Sequence, residues 1–246
     1  MQVYSMREAP YHRSVSVVMP SYNERENVAE AIERVAGALG EQLLEVIVVD
    51  DDSPDGTGQV LAQLDRPELH VIHRKGQSGL ASALAQGTRA AKGTVVVWLD
   101  CDLGIAPEYI PELVSKLEDF DIAIGSRYVT GGNDLRSPGR ALLSRILNRF
   151  AQVVLGSEIT DYTSGFAAAR HTALAKVPLS GEGFGEYFID WAYHAKRNGL
   201  KIVEFGYDYR LRKSGLSKTD SNWLTFLRLG LSYTWTILRV KFHHWK

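Results

Sequence analysis

Asp100-Cys101-Asp102 follows directly on the apolar run Thr94-Val95-Val96-Val97-Trp98-Leu99. Such a run suits a strand of a parallel sheet covered on both faces. Two carboxylates one residue apart at a strand end repel each other unless a cation neutralises them. Hard oxygen ligands of this kind suit Mg²⁺ or Mn²⁺, which commonly hold substrate phosphates as well. The pair Asp100 and Asp102 therefore fits a grip on a metal and a diphosphate, although a solvated loop bearing two acids has the same sequence. Three further polar clusters decide between these readings. Pro20-Ser21-Tyr22-Asn23-Glu24, Asp50-Asp51-Asp52-Ser53 and Arg74-Lys75-Gly76 each follow a run with strand character. Four strands feeding polar side chains to one edge favour a metal–nucleotide site over four unrelated loops.

The elements that must position these clusters alternate. Strand signals lie at 14–19, 44–49, 69–73 and 94–99, with helical spacing at 28–39, 57–64 and 79–92 between them. Asn23 with Glu26 has capping-box spacing ahead of the first helix. This β-α-β-α order predicts an α/β fold: a mostly parallel sheet flanked by helices, binding ligands outside the carboxyl ends of its strands. Neither Gly-x-Gly-x-x-Gly after the first strand nor a P-loop is present, which argues against a dinucleotide fold and a P-loop NTPase. In the second half, 121–125 reads as a strand. Arg140 to Leu155 reads as an amphipathic helix with Leu143, Ile146, Leu147, Phe150 and Val154 on one side. Lys201 to Tyr209 has strand character throughout.

The length of 246 residues fits one large domain or a domain and a half. Its single cysteine, Cys101, excludes an internal disulfide and suits a reducing compartment. Residues 1–14 lack the apolar core of a signal peptide, so a cytoplasmic location is expected. Charge is uneven. From Lys196 to Lys246 eleven Lys/Arg face three Asp/Glu, a net of +8, while the preceding 195 residues carry −9. The C-terminal fifth is thus suited to an anionic surface or substrate. Between Ser221 and Val240, Ser221, Thr225, Arg228, Ser232 and Arg239 form a polar stripe at helical period. The wide remainder carries Trp223, Phe226, Leu227, Ile237 and Leu238. A helix lying in a bilayer interface fits this pattern, as does packing on the domain's own core or on a partner. The Lys/Arg excess is confined to this tail and no nucleic-acid motif is present, so no nucleic-acid partner is expected.

The motifs resemble a known family. Pro20 to Glu24, the run Val49-Asp50-Asp51-Asp52-Ser53-Pro54-Asp55-Gly56-Thr57, and Asp100-Cys101-Asp102 are similar to those of glycosyltransferase family 2. Gly125-Ser126-Arg127-Tyr128-Val129-Thr130-Gly131-Gly132, Asp161 to Phe166 and Ser214 to Lys218 resemble its dolichol- or polyprenol-phosphate mannosyltransferase branch. The resemblance implies a catalytic domain over 14–218, an N-terminal extension over 1–13 and a basic amphipathic segment over 219–246. It implies a nucleotide-sugar-binding sheet of the glycosyltransferase A type with a C-terminal amphipathic helix. The implied reaction is an inverting, metal-dependent transfer from a nucleotide sugar, by default GDP-mannose, to a polyprenyl phosphate. The enzyme would lie peripherally on the cytoplasmic face of a membrane; no membrane subunit is specified. Residue by residue, the resemblance puts Pro20, Tyr22, Glu24 and Asp51 near the nucleoside and Lys75 near the donor diphosphate. Asp100 and Asp102 would hold the Mg²⁺ or Mn²⁺. Arg127, Arg140, Ser144, Arg212 and Lys218 would cradle donor and acceptor phosphates.

The chain departs from the family pattern twice. Gly104 stands where Asp-Ala-Asp-Leu-Gln would place Gln, and Asp52 stands for the Asn of Asp-Asp-Asn-Ser-Pro. A prenyl phosphate is ionised near neutral pH, so it needs cations to position it rather than a strong base. Asp161 could serve as a base, orient an arginine, or cap the Thr163-Ser164-Gly165 turn. Other readings are a different nucleotide sugar, a non-lipid acceptor, or a non-catalytic subunit that keeps the fold. The Gln-x-x-Arg-Trp of processive polysaccharide synthases is missing, and no Gly-rich loop of a nucleotidyltransferase follows the first strand.

Overall fold

The structure, a computed structural model, describes residues 14–211 and 223–242, without the side chains of 223–229. In chain order the elements are β1 (Val15–Ser21), α1 (Val28–Leu39), β2 (Leu43–Asp50), α2 (Thr57–Gln63), β3 (Leu69–His73), α3 (Leu80–Ala90) and β4 (Val95–Trp98). There follow α4 (Ile110–Ser115), β5 (Ile122–Ser126), β6 (Asn133–Asp134), α5 (Pro138–Leu155), β7 (Ala167–Arg170) and α6 (His171–Lys176). The last are α7 (Tyr187–Arg197), β8 (Ile202–Gly206), β9 (Asp208–Tyr209) and α8 (Trp223–Phe242).

Seven strands form one sheet in the order β3-β2-β1-β4-β7-β5-β8. Only β7 runs antiparallel to its neighbours, β4 and β5. The sheet is mostly parallel because helical crossovers join consecutive strands and cover both faces. Its strands are therefore apolar on both sides. In β1, Val17 and Met19 face one core with Leu61, Val97 and Leu113, while Val18 faces the other with Val49, Trp98 and Trp191. Trp98 is buried, donates Nε1–H to Thr88 Oγ1 at 2.9 Å and meets Trp191 edge-on at 4.4 Å. Truncating such a residue to Ala costs about 3–5 kcal/mol. The chain leaves β1 toward β2 on one side and β4 lies on the other. This switch in direction opens a crevice at the carboxyl ends of β1 and β4.

Three sequence expectations are corrected. The capping box at Asn23 does not form: α1 begins at Val28, and Asn23 has φ 59°. Tertiary bonds hold this loop instead, with Asn23 N–H on Ser53 Oγ and Glu24 N–H on Thr57 Oγ1, both at 3.0 Å. On α5 the expected apolar side is divided: Asn148, Ala151 and Leu155 are buried, whereas Leu143 and Ile146 are about half exposed. The 201–209 segment breaks at Tyr207 into β8 and β9, and β9 pairs with β6 in a separate two-stranded ribbon. Helix α8 packs on α5 and α7, burying Thr236, Ile237 and Val240 while Leu231, Trp235 and Phe242 stay exposed. Of its expected polar stripe, Ser221 and the side chains of Thr225 and Arg228 fall outside the described residues. No described helix is long and apolar enough to cross a membrane.

Candidate active site

Loops at the carboxyl ends of the parallel strands form an acidic rim. After β1, Glu24 is buried and accepts Asn27 Nδ2–H at 2.8 Å. After β2, both oxygens of buried Asp51 are engaged, one by Arg74 Nε–H at 2.6 Å and one by Gly79 N–H at 2.8 Å. After β4 come Asp100, exposed, and Asp102, half-buried, whose Oδ1 accepts Gly104 N–H at 2.9 Å. The Cys101 thiol between them is fully buried; burial pushes its pKa well up, with Glu24 and Asp100 adding to the rise. Among the described residues, the non-glycine residues with left-handed backbone are Asn23, Asp52 and Leu103. Each lies in one of these three loops, where such strain is concentrated in functional sites. The geometry also accounts for Asp52. At φ 54° only Asn and Asp are readily tolerated besides glycine, so the Asn-to-Asp departure keeps the turn.

A basic rim faces it from the β5–β6 half. Buried Arg127 gives its backbone N–H, Nε–H and Nη2–H to the Asp161 carboxylate at 3.0, 2.8 and 2.7 Å. Asp134 lies 3.6 Å from the same guanidinium. Burial opposes the charge on Arg127, but Asp161 outweighs it and the guanidinium stays protonated. Arg136 forks onto Asp134 at 2.8 and 2.6 Å and stacks over the Tyr209 ring at 4.9 Å. Burial, with Asp102 and Asp100, pushes the Tyr209 hydroxyl up to about 12. Gly125 is the next-to-last residue of β5, beneath this rim. A Cβ there would lie 2.4 Å from Phe166 Cδ1, so only glycine lets the strand pass under the ring.

Between the rims lies a cleft of about 570 Å³. Seven of the residues expected at the site line it: Pro20, Tyr22, Glu24, Asp51, Asp100, Asp102 and Arg127. Acids on strand-end loops face cations across this crevice.

The comparisons with known proteins identify the family. The model of the family described as "Glycosyl transferase family 2" matches residues 16–177. The chain belongs to that family. It is 39% identical over 216 residues to a polyprenol monophosphomannose synthase of Mycolicibacterium smegmatis, covering 84% of this chain and 81% of the relative. It is 39% identical over 212 residues to a dolichol-phosphate mannosyltransferase of Pyrococcus furiosus, covering 83% of this chain and 58% of that one. An undecaprenyl-phosphate mannosyltransferase of Micrococcus luteus is 32% identical over 241 residues, covering 92% and 98%. Among solved structures, glucosyl-3-phosphoglycerate synthase of Mycobacterium tuberculosis with Mn²⁺ and UDP superposes with a TM-score of 0.72 at 21% identity, over 93% of this chain and 80% of that one. The fold is that of the A-type glycosyltransferases.

The remaining expected residues of this family 2 glycosyltransferase lie elsewhere. Lys75 is exposed and does not line the cleft; its neighbour Arg74 is buried beneath the rim and holds Asp51. Asp161 is fully buried behind Arg127. Ser144, on α5, accepts the Tyr128 hydroxyl at 2.9 Å, and neither it nor half-buried Arg140 lines the cleft. Arg212 and Lys218 fall outside the described residues. Sequence reasoning missed Arg74, Arg136, Tyr209 and Tyr233. Arg74 sits in a motif already singled out, one residue from the lysine chosen. The other three lack a local signal, since only the fold brings β6, β9 and α8 to the cleft.

No described cluster holds three or more His, Cys, Asp or Glu in metal-binding geometry. Two carboxylates at a cleft still fit Mg²⁺ or Mn²⁺, which retain waters and take remaining ligands from substrate phosphates. Gly104 adds no side-chain ligand. A Cβ there would lie 3.0 Å from Asp102 Oδ1, 3.1 Å from the Tyr209 ring and 3.2 Å from the Arg210 carbonyl. Tyr209 and the chain after it fill the room a longer side chain would need.

Proposed function

We propose that this glycosyltransferase moves mannose from GDP-mannose to a polyprenyl phosphate with inversion at the anomeric carbon. The observation that carries the reading is the cleft itself, with Asp100 and Asp102 on one rim and Arg127 and Arg136 on the other. The three relatives named for prenyl-phosphate mannosylation support the substrate class. The catalytic unit is proposed to span 14–218, with 1–13 as an extension and 219–246 as the membrane-facing segment.

In this reading Glu24, Tyr22, Pro20 and Asp51 receive the nucleoside, and Arg74 keeps Asp51 in place. Asp100 and Asp102 would hold Mg²⁺ or Mn²⁺, which when bound neutralises charge on the donor diphosphate. Arg127 and Arg136, each forked onto an acid through Nε and Nη2, draw the acceptor phosphate toward the donor through their charge and their remaining N–H groups. A phosphate oxygen then forms the bond to the anomeric carbon as the bond to the diphosphate breaks, and the electron pair leaves with the nucleoside diphosphate. The attacking oxygen carries no proton to remove, so the step requires no general base. Asp161 accordingly acts as the orienter of Arg127, its oxygens being occupied by that arginine and by Thr163 N–H at 3.2 Å. Lys75 is proposed as a contact to the donor diphosphate, and Arg140, Ser144, Arg212 and Lys218 as contacts to donor and acceptor phosphates.

Membrane contact is proposed for α5 and α8 together. Among the described residues, the exposed large hydrophobic side chains other than Leu44 and Leu211 lie on these helices or just before α5, among them Leu142, Ile146, Val153, Leu231, Trp235 and Phe242. Neither helix carries an acid, and together they carry six Lys/Arg. Apolar side chains among basic ones suit an anionic bilayer surface, here the cytoplasmic face.

The test is incubation of the full chain with Mn²⁺, a panel of nucleotide sugars and a short polyprenyl phosphate. A mannosyl lipid from GDP-mannose alone, lost in Asp102→Ala, is expected. Product from another donor, or unchanged turnover in the variant, overturns the reading.

A further inference from the structure

Glu204 is a half-buried acid that the proposed chemistry does not use. It lies on β8, a sheet-edge strand where its same-side neighbour Ile202 packs against the core. A carboxylate there costs desolvation, and burial raises its pKa despite several hydrogen bonds. Those bonds share one target. Thr160 N–H donates to Oε2 at 2.7 Å, and Thr160 Oγ1–H and Asp161 N–H donate to Oε1 at 2.9 Å each. The Thr160 hydroxyl also lies 2.9 Å from Ser126 Oγ, the residue before Arg127. Both ends of the Arg127–Asp161 clasp are thereby tied to one carboxylate.

We propose that Glu204 is a positioning residue for Arg127. It fixes the Thr160–Asp161 backbone, and Asp161 in turn fixes the guanidinium at the cleft wall. The connection is continuous: Glu204 to two backbone amides, Asp161 to Arg127 through three hydrogen bonds, Arg127 to the cleft. The loop has no strand or helix of its own between Leu155 and Ala167, so these bonds set its conformation. Arg127 cannot reorient while Asp161 is held, because the acid takes its backbone N–H and its side chain together.

Glu204→Gln isolates this role. Glutamine keeps the shape but has one acceptor where the carboxylate has two. Whichever oxygen becomes NH₂ faces either the Thr160 amide or the Asp161 amide, so at least one bond is lost. Three readouts on the full chain test it. By NMR, hydrogen exchange at the Thr160 and Asp161 amides accelerates, and the Arg127 Nε–H resonance shifts. In transfer assays kcat/KM falls on the order of 10²-fold, as for a misplaced contact remote from the bond being made. In an Arg127→Lys background the same substitution causes no further loss, since residues acting as a unit are non-additive. Unchanged exchange and an unchanged Arg127 signal overturn the proposal, as does an equal loss of activity in both backgrounds. Should Glu204→Gln fail to fold, Thr160→Val removes the hydroxyl's bonds to Glu204 and Ser126 and shows the same spectral changes with a smaller kinetic loss. Wild-type spectra and kinetics in that variant overturn it. The kinetic arm rests on the function proposed above. If the wild type transfers no sugar, that reading fails, while the two NMR readouts still decide whether Glu204 holds Arg127.

Discussion

Replacing Asp161 by Asn removes one charge and no volume from a site where both partners are sealed from water. The Arg127 and Asp161 side chains are 4% and 0% exposed. Asn keeps one acceptor oxygen, but its NH₂ then faces an arginine N–H, so at least one of the two guanidinium bonds at 2.8 and 2.7 Å becomes donor against donor. Breaking a buried pair from one side costs about 3–5 kcal/mol, because the other charge stays buried. Asp134 at 3.6 Å and Thr163 Oγ1 at 2.8 Å still serve Arg127, which places the cost near the lower end, about 3 kcal/mol. A chain of this size loses about 2–4 °C per kcal/mol, so thermal unfolding followed by circular dichroism shifts down by roughly 6–12 °C. The double replacement Arg127→Leu with Asp161→Leu separates structure from chemistry. With both charges gone no ion is left unpaired in the interior, so part of the lost stability returns, while transfer stays lost. Melting of Asp161→Asn within about 2 °C of wild type would refute the reasoning.

Three further outcomes are expected. Asp134 is opposed by burial, but hydrogen bonding to Arg136 and the nearby Arg127 hold its pKa below the ordinary 3.8. A depressed pKa stabilises the fold above the ordinary value, and that stability is lost as pH falls through the folded one. The stability gap between wild type and Asp134→Asn, from urea titrations, is therefore constant near neutrality and closes below about pH 3.8; a gap that widens in acid contradicts it. Gly104→Gln, which restores the family residue, costs about 1–3 kcal/mol by overpacking against Tyr209 and the Arg210 carbonyl, and Tyr209→Ala in the same chain relieves it. Flotation with anionic vesicles falls when Ile146 and Trp235 are both replaced by Ser, and equal flotation removes the helices α5 and α8 from the membrane reading.

The alternating elements were legible because parallel strands buried on both faces are unbroken apolar runs, as in Val95–Trp98. Polar clusters after β1, β2 and β4 were legible for the same reason: each starts where the apolar run stops. What sequence spacing could not supply was long-range closure. Asn23 and Glu26 have the spacing of a cap, yet Ser53 takes the Asn23 amide from thirty residues away and Thr57 holds the neighbouring Glu24 amide. On α5 the apolar pattern was real, but a helix at the domain's edge divides its apolar residues between core and exterior, and period alone does not say which. Arg136, Tyr209 and Tyr233 join the cleft only because β9 pairs with β6 and α8 packs beside α5 and α7. Glu204 gave no signal beyond an acid in an otherwise apolar strand.

The pairing of each cation in the cleft with an acid bears on how two anions can be brought together. Under the proposed function, donor diphosphate and acceptor phosphate repel each other, and an unrestrained arginine would collapse onto whichever arrived first. Arg127 instead spends its Nε–H and one Nη2–H on Asp161 and faces Tyr128 and Tyr209 with its plane. Arg136 is forked by Asp134 and stacked on Tyr209 in the same way. The cations remain charged but cannot follow an incoming phosphate, so the phosphate must come to them, and its position relative to the anomeric carbon is set by the protein. Helix α8 contributes to the same wall. Its Tyr233 lies so close to Gly185 that a Cβ at that glycine would meet the tyrosine hydroxyl at 1.8 Å. The helix proposed to lie on lipid through Leu231 and Trp235 thus shapes the cleft with its opposite side, and a lipid-borne phosphate would reach the arginines along an element already seated at the membrane.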